Sequence, residues 1–249
     1  MDTNEILKLI ENKYYASLTS YLEDLDRRWA KEGRLQSFDT LWTISQALLE
    51  TDDLPPEGKK LLLDVVKRAL ERNAAGEVKK YELLTRQAEF LPLLMREDVF
   101  RDEPTFKELR CSLLASFMAK INDIRDPDFV PVQVYSSIPP IFMEGLKPGD
   151  IPMGGTMDPT TIKNPELRKK YEERIQENQQ NMDSNQEKLA ANSLYSRYEP
   201  DLKDFFASLY LNDPENVTEL KHCLQDGKFS EEFTEDVLER IKEGQGASP

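Results

Sequence analysis

The chain has 249 residues, 32% of them charged and 39% hydrophobic, with a formal net charge of −14. That length buries a substantial core in one large domain or two small ones, and the composition is too apolar for general disorder. The negative balance argues against nucleic acid and anionic membrane as partners, because both require a basic footprint.

Ten glycines, against plentiful Leu, Glu, Lys, Ala and Gln, favour helix over sheet. The opening MDTNEILKLIENKYY is acidic and amphipathic. It lacks the basic start and continuous apolar core of a signal peptide, and no apolar run approaches the ~20 residues of a membrane span. A cytoplasmic location is expected.

A first helix is predicted over residues 3–30, capped by Asp2 or Thr3 and ended by Gly33. Its inner face holds Ile6, Leu9, Ile10, Tyr14, Leu18, Tyr21, Leu22 and Leu25 at helical spacing. A second, about 35–51, carries Phe38, Leu41, Trp42, Ile44, Leu48 and Leu49 inward. Pro55-Pro56 opens a third, with Leu61, Leu62, Val65, Val66 and Leu70 facing the core, and Gly76 closes it. The fourth runs through Tyr81, Leu84, Phe90, Leu93 and Leu94, where Pro92 bends or interrupts it. The fifth, residues 104–124, points Phe106, Leu109, Leu113, Leu114, Phe117 and Ile121 inward.

Residues 125–161 lose the helical period and include seven prolines within DPDFVPVQVYSSIPPIFMEGLKPGDIPMGGTMDP. Residues 130–135 and 141–143 could pair briefly, with proline limiting them to edges. The apolar residues of this connector, Tyr135, Ile141 and Phe142 among them, are too many for a free linker. It is expected to lie extended on the helices or to serve as a partner-binding surface.

Asn164, Pro165 and Glu166 then mark the start of a long helix, by cap, first-turn proline and favourable charge at the dipole's positive end. Leu167, Tyr171, Ile175 and Met182 form its narrow apolar seam, while residues 176–186 are nearly all amide and carboxylate and predict an exposed middle. Asp158-Pro159, Ile162 to Arg168, Tyr171-Glu172 and Asn178 resemble a motif of uncharacterised bacterial helical proteins, where it also follows a proline-rich connector. That motif commonly has Asp before the second proline, where this chain has Asn164. The resemblance covers about forty residues and implies a shared architecture without an activity to transfer.

Three shorter helices follow. Pro200 starts the first, Asp213 and Pro214 cap the second, which stops at Gly227, and Ser230 caps the last. The last has Phe233, Val237, Leu238 and Ile241 inside and Glu231, Glu232, Glu235, Asp236 and Glu239 outside.

The fold class expected is therefore all-α: a helical bundle or a short stack of helical hairpins, with a long extended proline-rich connector before a long helix. The organisation is a five-helix bundle over 1–125, a connector over 126–162 packed on it, and the long helix with three short ones over 163–243. A loose tail covers 244–249.

Chemistry finds little purchase in these residues. The one histidine, His222, removes most imidazole-based schemes, and its neighbour Cys223 points about 100° away on a helix. Cys111 and Cys223 form no disulfide framework and are expected as reduced, buried thiols. Asp123, Asp126 and Asp128 lack the glycine and closing glutamate of a calcium loop, and Gly154-Gly155 lacks the strand and lysine of a phosphate loop. No catalytic residue, metal ligand or cofactor is assigned.

Residues 200–249 hold 12 acids and 5 bases, net −7, whereas residues 1–125 hold 23 and 20, net −3. The expectation is a non-enzymatic protein-binding protein, an immunity protein that neutralises a bacterial toxin domain as its basic partner. Its contact residues would be Glu231, Glu232, Glu235, Asp236 and Glu239 with Tyr135, Ile141 and Phe142. The alternatives are a helical scaffold or adaptor and a divergent enzyme using carboxylates.

Overall fold

The helix-favouring composition is realised in every regular element described. The computed structural model describes residues 2–100, 105–136, 138, 158–211 and 217–246, and among them every regular element is helical. No helix among these residues is long and apolar enough to cross a membrane.

α1 (Thr3–Glu11) opens on a capping box. The Glu5 amide donates to the Asp2 carboxylate and the Asp2 amide to that of Glu5, each at 2.9 Å. The single helix expected over 3–30 is divided, because Lys13 takes φ +57° and α2 (Tyr15–Glu32) begins afresh. The Tyr14 amide donates back to the Leu9 carbonyl at 2.8 Å, closing α1 in a left-handed turn without glycine. Tyr14 thereby leaves the inner face and is exposed. Gly33 ends α2 at φ +57°, and a Cβ there would meet the Ala75 carbonyl oxygen at 2.0 Å. Both its conformation and its close approach therefore require glycine.

α3 (Gln36–Leu49) and α4 (Pro56–Leu70) form where predicted, but Trp42 is 37% exposed rather than inward, and α4 ends with the C-cap Glu71, ahead of Gly76, which takes φ +60° in the following loop. Pro92 does interrupt the fourth predicted helix. It separates α5 (Lys80–Ala88) from α6 (Leu91–Leu94) and sits in the first turn of the latter, where its missing N–H costs nothing. α7 (Glu97–Phe100) was not foreseen, and α8 (Thr105–Ile124) covers the stretch expected of the fifth helix.

α9 (Pro165–Tyr210) is a helix of 46 residues, entered through Asn164, whose side-chain oxygen accepts from the Glu166 and Leu167 amides at 2.9 and 3.3 Å. It differs from expectation at Pro200, which lies inside the helix rather than beginning a new one. Pro200 is exposed, while Tyr198, Leu202, Phe205 and Phe206 on either side are buried. One lost hydrogen bond at the surface is outweighed by that burial. α10 (Val217–Asp226) and α11 (Glu231–Gly246) complete the chain, and the expected caps Asp213 and Pro214 lie outside the described residues.

The chain divides into two compact units, Met1–Asp126 with Ala190–Pro249, and Pro127–Leu189. The core of the larger unit joins Leu18, Leu41, Leu62 and Leu114 to Leu202, Phe206, Leu220 and Val237, all with essentially no exposure. Two arginines enter it. The Arg72 guanidinium stands over the edge-to-face pair of Trp29 and Phe38, at 5.0 and 5.1 Å from the two rings. Arg110 donates to the Leu94 carbonyl at 2.6 Å and to Glu97. The apolar pattern had turned Leu109 inward, yet Leu109 is 37% exposed and Arg110 only 1%.

The expected free thiols are instead bonded: Cys111 and Cys223 form a disulfide joining α8 to α10. Helical pattern locates each cysteine on its own helix but carries no information on which helices pack together.

The smaller unit has a small core of its own. Ile138, Ile162 and Tyr171 are buried, with Leu167 and Ile175 against them. A short 3-10 turn, Pro159–Thr161, leads into α9, and Asp158 caps it by accepting from the Thr160 amide at 2.9 Å.

Candidate binding sites

Ser230 starts α11 as predicted, its hydroxyl accepting from the Phe233 amide at 3.1 Å. With Phe233, Val237 and Ile241 buried, helical geometry turns Glu231, Glu232, Glu235 and Glu239 into solvent, and all four are exposed. Among the described residues none of the four is ion-paired, and Glu231, Glu235 and Glu239 repeat every four positions along one stripe.

Asp236 is a different case. It accepts from the Lys203 ammonium on α9 at 2.7 Å, and that ammonium also reaches Glu199 at 3.0 Å. The hydrogen bond to Lys203 holds the Asp236 carboxyl below the usual aspartate range, and the same bond, working against burial, raises the Lys203 ammonium. Asp236 therefore fastens α11 to α9 and is no free member of the acidic face. Arg240 likewise pairs with Asp204 on α9.

Of the connector residues named with this face, one is described. Tyr135 is 52% exposed and belongs to the smaller unit, while Ile141 and Phe142 lie outside the described residues.

The smaller unit contains an arrangement that the sequence pattern did not single out. Residues 129–136 run without helix or strand along α9, and asparagine side chains of the helix hold their main chain. Asn178 accepts from the Tyr135 amide at 2.8 Å and donates to the Tyr135 carbonyl at 2.9 Å. Asn185 does the same to Val132, at 3.0 and 2.7 Å. The Tyr171 hydroxyl donates to the Ile138 carbonyl. In the larger unit Asn192 closes the same two-bonded ring on Asp126, at 3.1 and 2.7 Å.

Residues 171, 178, 185 and 192 are seven apart. Seven helical residues rise about 10.5 Å, and three residues of extended chain span about 9 to 10 Å. The rungs therefore meet Ile138, Tyr135 and Val132 in register, with the arm antiparallel to the helix.

A side-chain amide offers one donor and one acceptor, the complement of one residue's main chain. Such contacts fix the backbone without regard to side chain. Accordingly Val130 and Val132 remain 80% and 53% exposed, although the arm is tied at Val132 and Tyr135. Asn185 itself is only 7% exposed. The seven-residue spacing of the asparagines was visible in the sequence. Their role was not, because a polar run on a helix ordinarily faces water.

Among the described residues no three His, Cys, Asp or Glu side chains gather as a metal site, and Asp123 is paired with Lys228. His222 is exposed and lines a groove of about 580 Å3 together with Glu108, Ser112 and Asp226, beside the disulfide. Compared with protein-family models, curated proteins and solved structures, the chain gives no match in any of the three.

Proposed function

We propose that this chain is a non-enzymatic protein-binding protein that engages a basic partner through the exposed carboxylates of α11. In this reading it is an immunity protein that covers the basic surface of a toxin domain, and the helices of its larger unit form a bundle that holds the acidic face rigid. The observation that carries it is the row Glu231, Glu232, Glu235 and Glu239, unpaired among the described residues, on a helix whose opposite side is locked into the core. Like charges four residues apart repel one another, a cost that a cationic surface would relieve. Complementary charge also accelerates encounter and makes it sensitive to salt.

The test uses purified products of the genes neighbouring this one, with association measured from low to physiological salt. A partner should bind with a rate that falls steeply as salt rises. The Glu231→Lys, Glu235→Lys, Glu239→Lys chain should associate at least about tenfold more slowly. Equal binding by the charge-reversed chain at low salt would remove this face from the function.

A further inference from the structure

The asparagine rungs of α9 read main chain alone, and that property reaches beyond the segment now seated on them. We propose that Tyr171, Asn178 and Asn185 form a peptide-binding site for an extended, proline-containing segment of another protein, kept closed in the free chain by its own residues 129–136 and 138. This inference is independent of the acidic face of α11, which lies in the other unit.

Three observations carry it. The bonds from Asn178 and Asn185 go to the amide and carbonyl of Tyr135 and Val132, so nothing in them distinguishes this arm from another extended segment. Between its ends the arm is held mainly through main chain: residues 130–133, 135 and 136 are exposed, and its side-chain anchors are Ile138 in the small core and Phe129 beside the Lys188 ammonium at 4.8 Å. The rungs also repeat with the three-residue advance of an extended chain, so a segment of suitable spacing meets all of them together.

The chemistry sets a rule for the ligand. A residue opposite an asparagine must present an N–H to the side-chain oxygen, so proline is forbidden there and tolerated between rungs. The arm obeys this rule, with Val132 and Tyr135 at the rungs and Pro131 between them. At the Tyr171 rung the hydroxyl donates to the carbonyl of Ile138. The preferred ligand is thus an extended segment with non-proline residues three apart and proline at the intervening positions. Such chains lose little entropy on binding because they are already extended.

The arm is tethered and competes at an effective concentration of about millimolar, so the site must be emptied to be measured. The Val132→Pro, Tyr135→Pro full-length chain cannot seat its own arm. The probe is a fluorescein-labelled synthetic peptide with the sequence of residues 126–138, followed by polarisation.

It should bind this chain at least about tenfold more tightly than the natural one, the competing arm having been removed. Adding Asn178→Ala and Asn185→Ala should abolish that binding. A peptide with proline at either rung position should fail, whereas one with proline in place of Gln133 should bind.

Independently of that variant's folding, excess peptide added to the natural chain should speed hydrogen exchange at its own Val132 and Tyr135 amides. Absence of binding to a folded emptied chain, binding that survives loss of the asparagines, or exchange indifferent to peptide would each overturn the proposal.

Discussion

Arg110 carries a charge into a place without water, and the consequences are specific. Burial lowers its affinity for the proton, and Glu97 partly restores it. Its guanidinium also faces the rings of Phe100 and Phe205, at 4.9 and 5.0 Å. Arg110→Ala would leave the Leu94 carbonyl without its partner and open a cavity, and urea unfolding should show a loss of about 2 to 4 kcal/mol. Arg110→Lys should recover little of it, since one ammonium cannot follow the guanidinium fork. An apolar-periodicity rule favours Leu109 over Arg110, because the partners that make the charge tolerable come from a different stretch of chain. A second residue pair predicts opposite signs. Gly227 reads as the left-handed terminator of α10, yet the left-handed residue is Lys228, at φ +54°. Gly227 is required for space, because a Cβ there would lie 2.6 Å from the Phe229 ring and 3.3 Å from the Ala115 Cα. Gly227→Ala should therefore lower the melting temperature, by about 1 to 3 kcal/mol of stability. Lys228→Gly should raise it, by up to about 1 kcal/mol, because the surface pair it gives up with Asp123 contributes little.

At the level of elements, the attachment of α11 to α9 depends on pH through Lys203 and Asp236. The Asp236 carboxyl has a lowered pKa in the folded chain, so its contribution is present above the ordinary aspartate value of about 4 and is lost as pH falls through the lowered one. The Lys203 ammonium has a raised pKa, so its contribution is present below the ordinary value of about 10.4 and is lost as pH rises through the raised one. The stability difference between the natural chain and Asp236→Asn should form a plateau between these limits and shrink beyond each of them. A difference flat across the whole range would mean that the ion pair adds nothing to the attachment. Most elements were legible where local chemistry decides: the Asp2, Asn164 and Ser230 caps, Pro55-Pro56, Pro92 and Gly33 all act as their residue types dictate. What escaped was set by distant partners. The break at Lys13 has no glycine to announce it, Pro200 is carried through by packing on either side, and the disulfide depends on α8 meeting α10. The acidic stripe was legible because a solvated face needs no partner to be recognised. The asparagine rungs were not, because their meaning lies in the path of a segment some forty to fifty residues earlier.

On the scale of the molecule, two units of very unequal core share one chain. The larger buries an extended set of leucines and aromatics, whereas the smaller rests on Ile138, Ile162 and Tyr171 with two flanking side chains. Local stability follows the apolar surface that an opening must expose. Core amides of α3, α4 and α8 should exchange only through openings that disrupt the larger core. The Val132 and Tyr135 amides need only the release of two asparagine side chains with little loss of burial. Native-state hydrogen exchange should therefore give protection at least about 10³-fold lower for those two amides than for the core of α4. Asn185→Ala should reduce the protection of Val132 further, while leaving α4 unchanged. Equal protection in both places would mean that the arm opens only with the whole fold. An arm so fixed would be a permanent strut, and no peptide could then take its place.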